Sequence, residues 1–228
     1  MKILVCILTK KRFEENTKYA IEKLSEIKFA KLLVLSIEGE LEIQSNNQLQ
    51  VESKIDFTIA QAKRYALEYA NENNIQYVCF YPLNTLTEES GSWVSKLLFS
   101  HINHFSSGVV GVLNQDTDYD CEYYTTNDYE SSLINVTQGN IVEGLYILNT
   151  KTALELNCFA EDFKGYNDYH ISKLFQLYGY HNFYCVDVFC FKYSVVDDVL
   201  PNKDAESFER CKNDLNEKVK NISKWKMY

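Results

Sequence analysis

Short runs of strand-forming apolar residues, each followed by a segment with helical periodicity, constrain the fold of this chain more than any other feature. The first run, residues 2–8 (KILVCIL), is apolar at almost every position, as in strands buried on both faces of a parallel sheet. Residues 13–27 follow with apolar side chains at helical spacing, and residues 31–37 (KLLVLSI) form a second predicted strand. The chain therefore begins with a strand–helix–strand unit, which predicts parallel pairing.

The same alternation continues to the end of the chain. Further strands are predicted at residues 75–81, 107–113, 140–148 and 183–194. Helices are predicted at residues 56–71, 87–105 (with Thr87 as N-cap), 150–156, 168–178 and 204–225. Residues 39–54 are too polar to assign, and residues 114–140 are polar and acidic, long enough for a functional loop or a hairpin excursion. This order predicts an α/β fold: a single domain with a mostly parallel central sheet and helices on both faces.

Charge and cysteine content narrow the classes of function. The 23 basic and 32 acidic residues give a net charge of −9, which argues against unspecific binding of nucleic acid but allows a local basic site for one phosphate ligand. The seven cysteines form no CxxC pair and lie mostly in apolar runs, so we expect reduced thiols in a cytoplasmic protein. The apolar start is too short for a signal peptide, and no run is long enough to span a bilayer.

Several segments occur in the order and spacing of a known family. Residues 165–180 read GYNDYHISKLFQLYGY, preceded by FAEDF (159–163) and EGLYILNTKTALEL (143–156). Earlier in the chain come ILTKKR (7–12) and AKRYALEYA (62–70). Together these segments resemble the GT-A nucleotide-sugar transferases, specifically the family 2 glycosyltransferases. The resemblance implies one GT-A-like (Rossmann-like) domain over residues 1–203.

The resemblance implies a donor site built from several loops. Thr9, Lys10 and Lys11, after the first strand, would cup the nucleotide base, and Glu38 lies near the position of a base-binding carboxylate. Three cations would face the diphosphate: Lys63 and Arg64, in the segment like ARN, and Lys192, where the family often has a histidine.

The metal motif of the family is altered in this chain. Where the family has Asp-x-Asp, the sequence has Pro82, Leu83 and Asn84; proline offers no ligand, and an amide oxygen is a poor substitute for a carboxylate. Asp116 and Asp118, in the acidic loop, are the other weak candidates for binding Mn²⁺ or Mg²⁺. Two interpretations stay open: either cationic side chains replace the metal, or catalysis has been lost.

The resemblance also implies a catalytic carboxylate. Asp168 matches the Asp of the family's ED motif, which acts as general base in inverting members, and Asn167 replaces the Glu. Tyr166, Asn167 and His170 would then flank the acceptor. The alternative interpretation is that Asp168 merely caps its helix.

The last segment, residues 204–228, has a stripe of apolar residues at three- and four-residue steps and a basic end. Such an amphipathic helix packs on its own domain, on a second copy or another partner, or on a membrane surface. The sequence leaves these alternatives open.

The resulting functional expectation is a glycosyltransferase that uses a nucleotide-sugar donor, UDP-linked first among the candidates, and an acceptor hydroxyl, with or without a metal. The alternative is a non-catalytic GT-A-like binding or assembly subunit. A nucleotidyltransferase is a third class, but TKKRFEEN (9–16) lacks the glycines that a phosphate-binding loop needs.

Overall fold

The computed structural model of the chain describes residues 2–83, 85–87, 92–104, 106–112, 123–125, 133–136, 144–185, 188, 190–192 and 205–225. The strands are β1 (Ile3–Thr9), β2 (Ala30–Ser36), β3 (Leu49–Ser53), β4 (Tyr77–Tyr81), β5 (Thr85–Thr87), β6 (Ser107–Val112), β7 (Tyr123–Thr125), β8 (Leu133–Val136), β9 (Tyr146–Asn149), β10 (His181–Cys185) and β11 (Cys190–Lys192). The helices are α1 (Glu14–Leu24), α2 (Ile59–Glu72), α3 (Ser92–Asn103), α4 (Thr150–Glu155), α5 (Asn167–Leu177) and α6 (Ala205–Trp225).

Nine of the described strands form one mixed sheet, in the order β3-β2-β1-β4-β9-β6-β10-β8-β7. The pairings give seven of them one direction, and only β8 and β9 run the opposite way. The predicted α/β domain with a mostly parallel central sheet is therefore confirmed. β5 and β11 pair separately as a small antiparallel ribbon.

The sheet is covered on both faces, and its central strands β1, β4, β9 and β6 are buried at nearly every position. In β1, Ile3, Val5 and Ile7 point into a core that includes side chains from α1 and α3. Leu4 and Cys6 point the other way, into a second core that includes side chains from α2, α4, α5 and α6. This alternation explains the continuous apolar run in the sequence: a strand covered by helices on both sides has no solvent-facing position.

Some predicted boundaries are wrong for local reasons. Asp56 has φ 73°, outside the helical region, and the helix predicted from residue 56 begins only after Thr58. Thr87 is paired with Cys190 in the β5–β11 ribbon, so it does not cap the next helix, which begins at Ser92 in the part of the chain that is described. The strand predicted for residues 183–194 is split between β10 and β11, which lie in different sheets. The unassigned polar stretch contains β3.

Helix α6 packs on α5 through its N-terminal half. Cys211 and Leu215 are buried in the second core, and the ring of Phe208 lies 4.9 Å from that of Tyr166. Val219, farther along the same stripe, is 41% exposed. The stripe is therefore apolar because its first half covers α5.

The cysteines whose side chains are described are buried free thiols, at positions 6, 79, 158, 185 and 211. Burial raises the pKa of the Cys158 thiol to about 12, which disfavours the thiolate that nucleophilic chemistry requires. In the described part of the chain, none of the helices combines the length and the apolarity that crossing a bilayer would demand.

Candidate functional site

Four segments of the chain converge at one edge of the main sheet. The parallel strands β1 and β2 end there at Thr9 and Ser36, and β4 ends beside them at Tyr81. Strand β9 runs antiparallel to β4, with Tyr146 opposite Phe80, so its first residues lie at the same edge. Ligands of open α/β sheets bind outside the carboxyl ends of the strands. This edge, called the carboxyl edge below, is the candidate active site.

Lys63 reaches the carboxyl edge from the buried face of α2. The helix begins with a capping box, in which the Thr58 hydroxyl accepts a hydrogen bond from the Gln61 amide and the Gln61 side chain accepts one from the Thr58 amide. Lys63 is only 7% exposed. Its ammonium group lies 5.2 to 5.5 Å from the ring centres of Tyr146, Phe80 and Phe159. A cation in these surroundings needs an anionic partner, because burial penalises its charge.

Asp168 is that partner. It is the second residue of α5, and its Oδ1 accepts hydrogen bonds from Lys63 Nζ at 2.5 Å and from the Tyr146 hydroxyl at 2.9 Å. Its Oδ2 is 3.5 Å from the amide nitrogen of Gly144, a residue whose φ of 89° favours glycine. The N-cap of α5 is Tyr166, and the Asp168 carboxylate is bonded to α2 and β9. The capping interpretation of Asp168 is therefore wrong.

The Tyr146 hydroxyl completes a triangle of polar atoms. It lies 3.1 Å from Lys63 Nζ and donates to Asp168, although its ring is part of the core. Burial, and after it the negative charge of Asp168, raise the pKa of Tyr146 well above its ordinary value. The hydroxyl therefore stays protonated and acts as a hydrogen-bond donor.

The predicted base-binding residues lie together at the ends of β1 and β2. The Lys10 ammonium is 3.5 Å from the Glu38 carboxylate, and the Lys11 amide donates to the Glu38 carbonyl at 2.7 Å. The Thr9 hydroxyl is buried and lies 2.7 Å from that of Thr17, so it is held inside the fold. The structure thus brings Lys10, Lys11 and Glu38 together at the carboxyl edge.

Glu14 and Gly39 hold in place the two segments that follow β1 and β2. Glu14 accepts from Lys11 at 2.5 Å and pairs with Lys18 at 3.0 Å, and these two cations lower the pKa of Glu14 to about 2. Gly39 has φ 76°, and a Cβ at this position would lie 3.0 Å from the Cβ of Lys11. The turn after β2 therefore depends on glycine for both its conformation and its close packing.

The other predicted diphosphate-binding residues lie elsewhere or outside the described residues. Arg64 bonds Glu68 at 2.7 Å, the Asn157 side chain at 3.1 Å and the Cys158 carbonyl at 3.3 Å, so its guanidinium ties α2 to the turn after α4. Lys192 lies in β11, but its side chain is not among the described ones. The weak metal candidates Asn84, Asp116 and Asp118 also lie outside the described residues.

The predicted acceptor-side residues have contacts that support α5. Asn167 is buried; its side chain accepts from the Phe163 amide and donates to Asp162, each at 2.9 Å. His170 Nε2 lies 2.6 Å from an Asp214 carboxylate oxygen on α6. Tyr166 packs on α6, as described above. These contacts leave the proposed acceptor role of the three residues untested.

Within the residues that the structure describes, no group of three His, Cys, Asp or Glu side chains could hold a metal ion. Mn²⁺ or Mg²⁺ binding therefore stays a prediction for side chains outside that set.

Tyr146 is the site residue that the sequence analysis did not single out. It lies in an apolar strand and reads as a core aromatic residue. The sequence feature that could have indicated a polar partner at this position was Lys63, which falls among the apolar positions of α2 between Ile59 and Ala66. A lysine on the buried face of a helix requires polar partners from neighbouring elements.

The sequence matches no protein-family model, and none of the curated proteins matches it. Solved structures do match its fold. One is GalNAc-T7 with UDP, GalNAc and Mn²⁺, with a TM-score of 0.61 and 10% identity over 86% of this chain and 44% of that one. Another is the mannosyltransferase PcManGT from Pyrobaculum calidifontis with GDP-Man and Mn²⁺, with a TM-score of 0.61 and 12% identity over 86% of this chain and 58% of that one. This chain thus spans about half the length of these two enzymes.

Two further solved structures are also similar in fold. The 4-diphosphocytidyl-2C-methyl-D-erythritol synthase from Anaerococcus prevotii has a TM-score of 0.52 and 12% identity, and the match covers 94% of this chain and 99% of that one. A putative glucose-1-phosphate thymidylyltransferase from Bacillus anthracis has a TM-score of 0.53 and 9% identity over 84% of this chain and 89% of that one. The chain has the GT-A-like fold of the nucleotide-diphospho-sugar transferases.

Proposed function

We propose that this chain is a glycosyltransferase, resembling those of family 2, that moves a sugar from a nucleotide-sugar donor to an acceptor hydroxyl. The observation that carries the proposal is the Asp168 carboxylate, which stands partly exposed at the carboxyl edge of a GT-A-like sheet. One of its oxygens is held by buried donors, and the other is contacted only by a long backbone hydrogen bond among the described residues. A carboxylate in this position can take a proton from a bound hydroxyl.

The chemistry is a single displacement. Asp168 accepts the hydroxyl proton as the acceptor oxygen bonds to the anomeric carbon. The bond from that carbon to the diphosphate breaks on the opposite side, the nucleoside diphosphate leaves, and the configuration at carbon inverts. Lys10, Lys11 and Glu38 would frame the base and ribose, and Lys192 would offset the charge of the diphosphate. Of the other residues predicted for the donor, Thr9 is held by Thr17 inside the fold and Lys63 is paired with Asp168. Arg64 is engaged in the same way, by Glu68 and Asn157.

The ligands held by two fold relatives support a choice of donors for the test. The two glycosyltransferase structures hold UDP with GalNAc and GDP-Man, and both contain Mn²⁺. We propose UDP sugars first and GDP sugars second, and whether a metal takes part is an outcome of the test. Residues 1–203 would form the donor-binding domain, with the helix of residues 204–228 packed on it. The buried free thiols are consistent with a cytoplasmic location.

The second candidate is a non-catalytic GT-A-like binding or assembly subunit. Pro82 favours it, because this residue stands where the family has the first metal-binding carboxylate. The two candidates differ in turnover but not in donor binding.

The test combines binding with turnover. A nucleotide sugar at 100 times its dissociation constant stabilises the native state by about 2.7 kcal/mol, so thermal melting with a donor panel, with and without Mn²⁺, identifies the donor. Asp168→Asn should keep this stabilisation and lose transfer. Full turnover by Asp168→Asn would refute the catalytic role, and binding without turnover by the unaltered chain would favour the binding subunit.

A further inference from the structure

We infer that Tyr146 and Lys63 are positioning residues that hold Oδ1 of Asp168, so that Oδ2 is the oxygen that receives the acceptor proton. The inference rests on the proposed function and adds to it two residues and one specific atom. Neither Tyr146 nor the pairing of Lys63 with Asp168 is part of the donor site that the resemblance implies.

The first observation is the closed geometry of the three side chains. Asp168 Oδ1 lies 2.5 Å from Lys63 Nζ and 2.9 Å from the Tyr146 hydroxyl, and these two donors lie 3.1 Å from each other. They come from α2, β9 and α5, three separate elements that the tertiary structure brings together. A carboxylate held by donors from two other elements cannot rotate without breaking both contacts.

The second observation is the difference between the two carboxylate oxygens. Oδ1 accepts from two side-chain donors, one of them charged. Among the described residues, Oδ2 has only the Gly144 amide, at the 3.5 Å limit of a hydrogen bond. The Asp168 side chain is 18% exposed, whereas the side chains of Lys63 and Tyr146 are almost fully buried. Since each carboxylate oxygen offers about two acceptor positions, the unused capacity lies on Oδ2.

The third observation is that the two donors are themselves fixed. The Tyr146 ring packs 5.4 Å from the Phe80 ring, and Lys63 is enclosed by the three aromatic rings named above. Both donors are therefore in place before any ligand binds. Such a preorganised group loses little energy in reorganising when the proton moves.

Tyr146→Phe tests the inference because it removes the hydroxyl and keeps the ring. The unaltered chain, Tyr146→Phe and Lys63→Met are compared for release of nucleoside diphosphate from UDP and GDP sugars with a panel of sugar acceptors. We expect kcat to fall about tenfold or more in both variants while the donor KM stays unchanged, since a misplaced base slows only the chemical step. Circular dichroism at the assay temperature confirms that each variant is folded.

Tyr65→Phe is the matched control. It also removes a hydroxyl bonded to a carboxylate, here that of Glu52 at 2.6 Å, but Tyr65 is half-buried and its partner lies on the edge strand β3. Its kcat should equal that of the unaltered chain. Equal kcat values for Tyr146→Phe and Tyr65→Phe would overturn the inference, and so would an effect on KM alone. If Asp168→Asn is inactive in that case, the proposed function survives. No turnover by the unaltered chain with any donor would overturn both.

Discussion

Removing the Lys63 ammonium should destabilise the protein far more than removing an exposed one. In Lys63→Met, Asp168 keeps the Tyr146 hydroxyl and the Gly144 amide but loses its cation. Deleting one partner of a buried ion pair costs about 3–5 kcal/mol. Because the Asp168 side chain is 18% exposed, water can replace part of the lost interaction, and we expect about 3 kcal/mol. In a domain of this size, a loss of that magnitude lowers Tm by roughly 6–12 °C.

The assay is urea denaturation of single and double variants. Lys151→Met is the control, because Lys151 pairs with Glu155 at 3.7 Å with both side chains largely exposed, and its loss should cost less than about 1 kcal/mol. In the double variant Lys63→Met with Asp168→Asn, the destabilisation should be about 2 kcal/mol smaller than the sum of the two single effects. A Lys63→Met variant as stable as Lys151→Met, or strictly additive effects, would refute the buried pair.

Two further predictions concern acid sensitivity and the attachment of α6. Burial lowers the pKa of His101 to about 4, whereas the unfolded chain takes up this proton near pH 6.5, so the free energy of unfolding should fall by up to about 3 kcal/mol between pH 6.5 and 4. In urea denaturation, His101→Gln should flatten that part of the stability profile, and an unchanged slope would refute the role of His101. The Asp214 carboxylate lies 2.6 Å from His170 Nε2 on α5 and 2.5 Å from Lys218 Nζ. Asp214→Asn should therefore speed tryptic cleavage within α6 at least several-fold relative to the control Glu217→Gln, which changes an exposed side chain. Equal rates would show that α6 is held without this contact.

The sheet could be predicted because its strands are buried on both faces. Residues 3–7 and 32–35 are buried at every position, so their apolar runs are easy to recognise. Strand β3 (LQVES) is an edge strand with half-exposed side chains and therefore carries no such pattern. The β5–β11 ribbon was missed because residues 85–87 are too few to show a period.

The site could be predicted only in its separate parts. Lys63 and Asp168 were both selected from motifs, yet they are 105 residues apart and nothing local indicates that they pair. Their contact follows from the sheet order, which sets β9 against β4 and so brings the start of α5 next to α2. Tyr146 was missed for the same reason, since a tyrosine in an apolar strand shows its polar function only when its partners are in place.

The most direct test of the account is to identify the products formed from a nucleotide sugar. The purified chain is incubated with UDP and GDP sugars and a panel of acceptors, with and without Mn²⁺, and the released nucleotide is resolved by chromatography. The account predicts a nucleoside diphosphate together with an extended acceptor, and loss of both in Asp168→Asn. Formation of a nucleoside monophosphate or triphosphate would instead indicate nucleotidyl transfer, and a bound donor that stays intact would contradict the proposed catalysis.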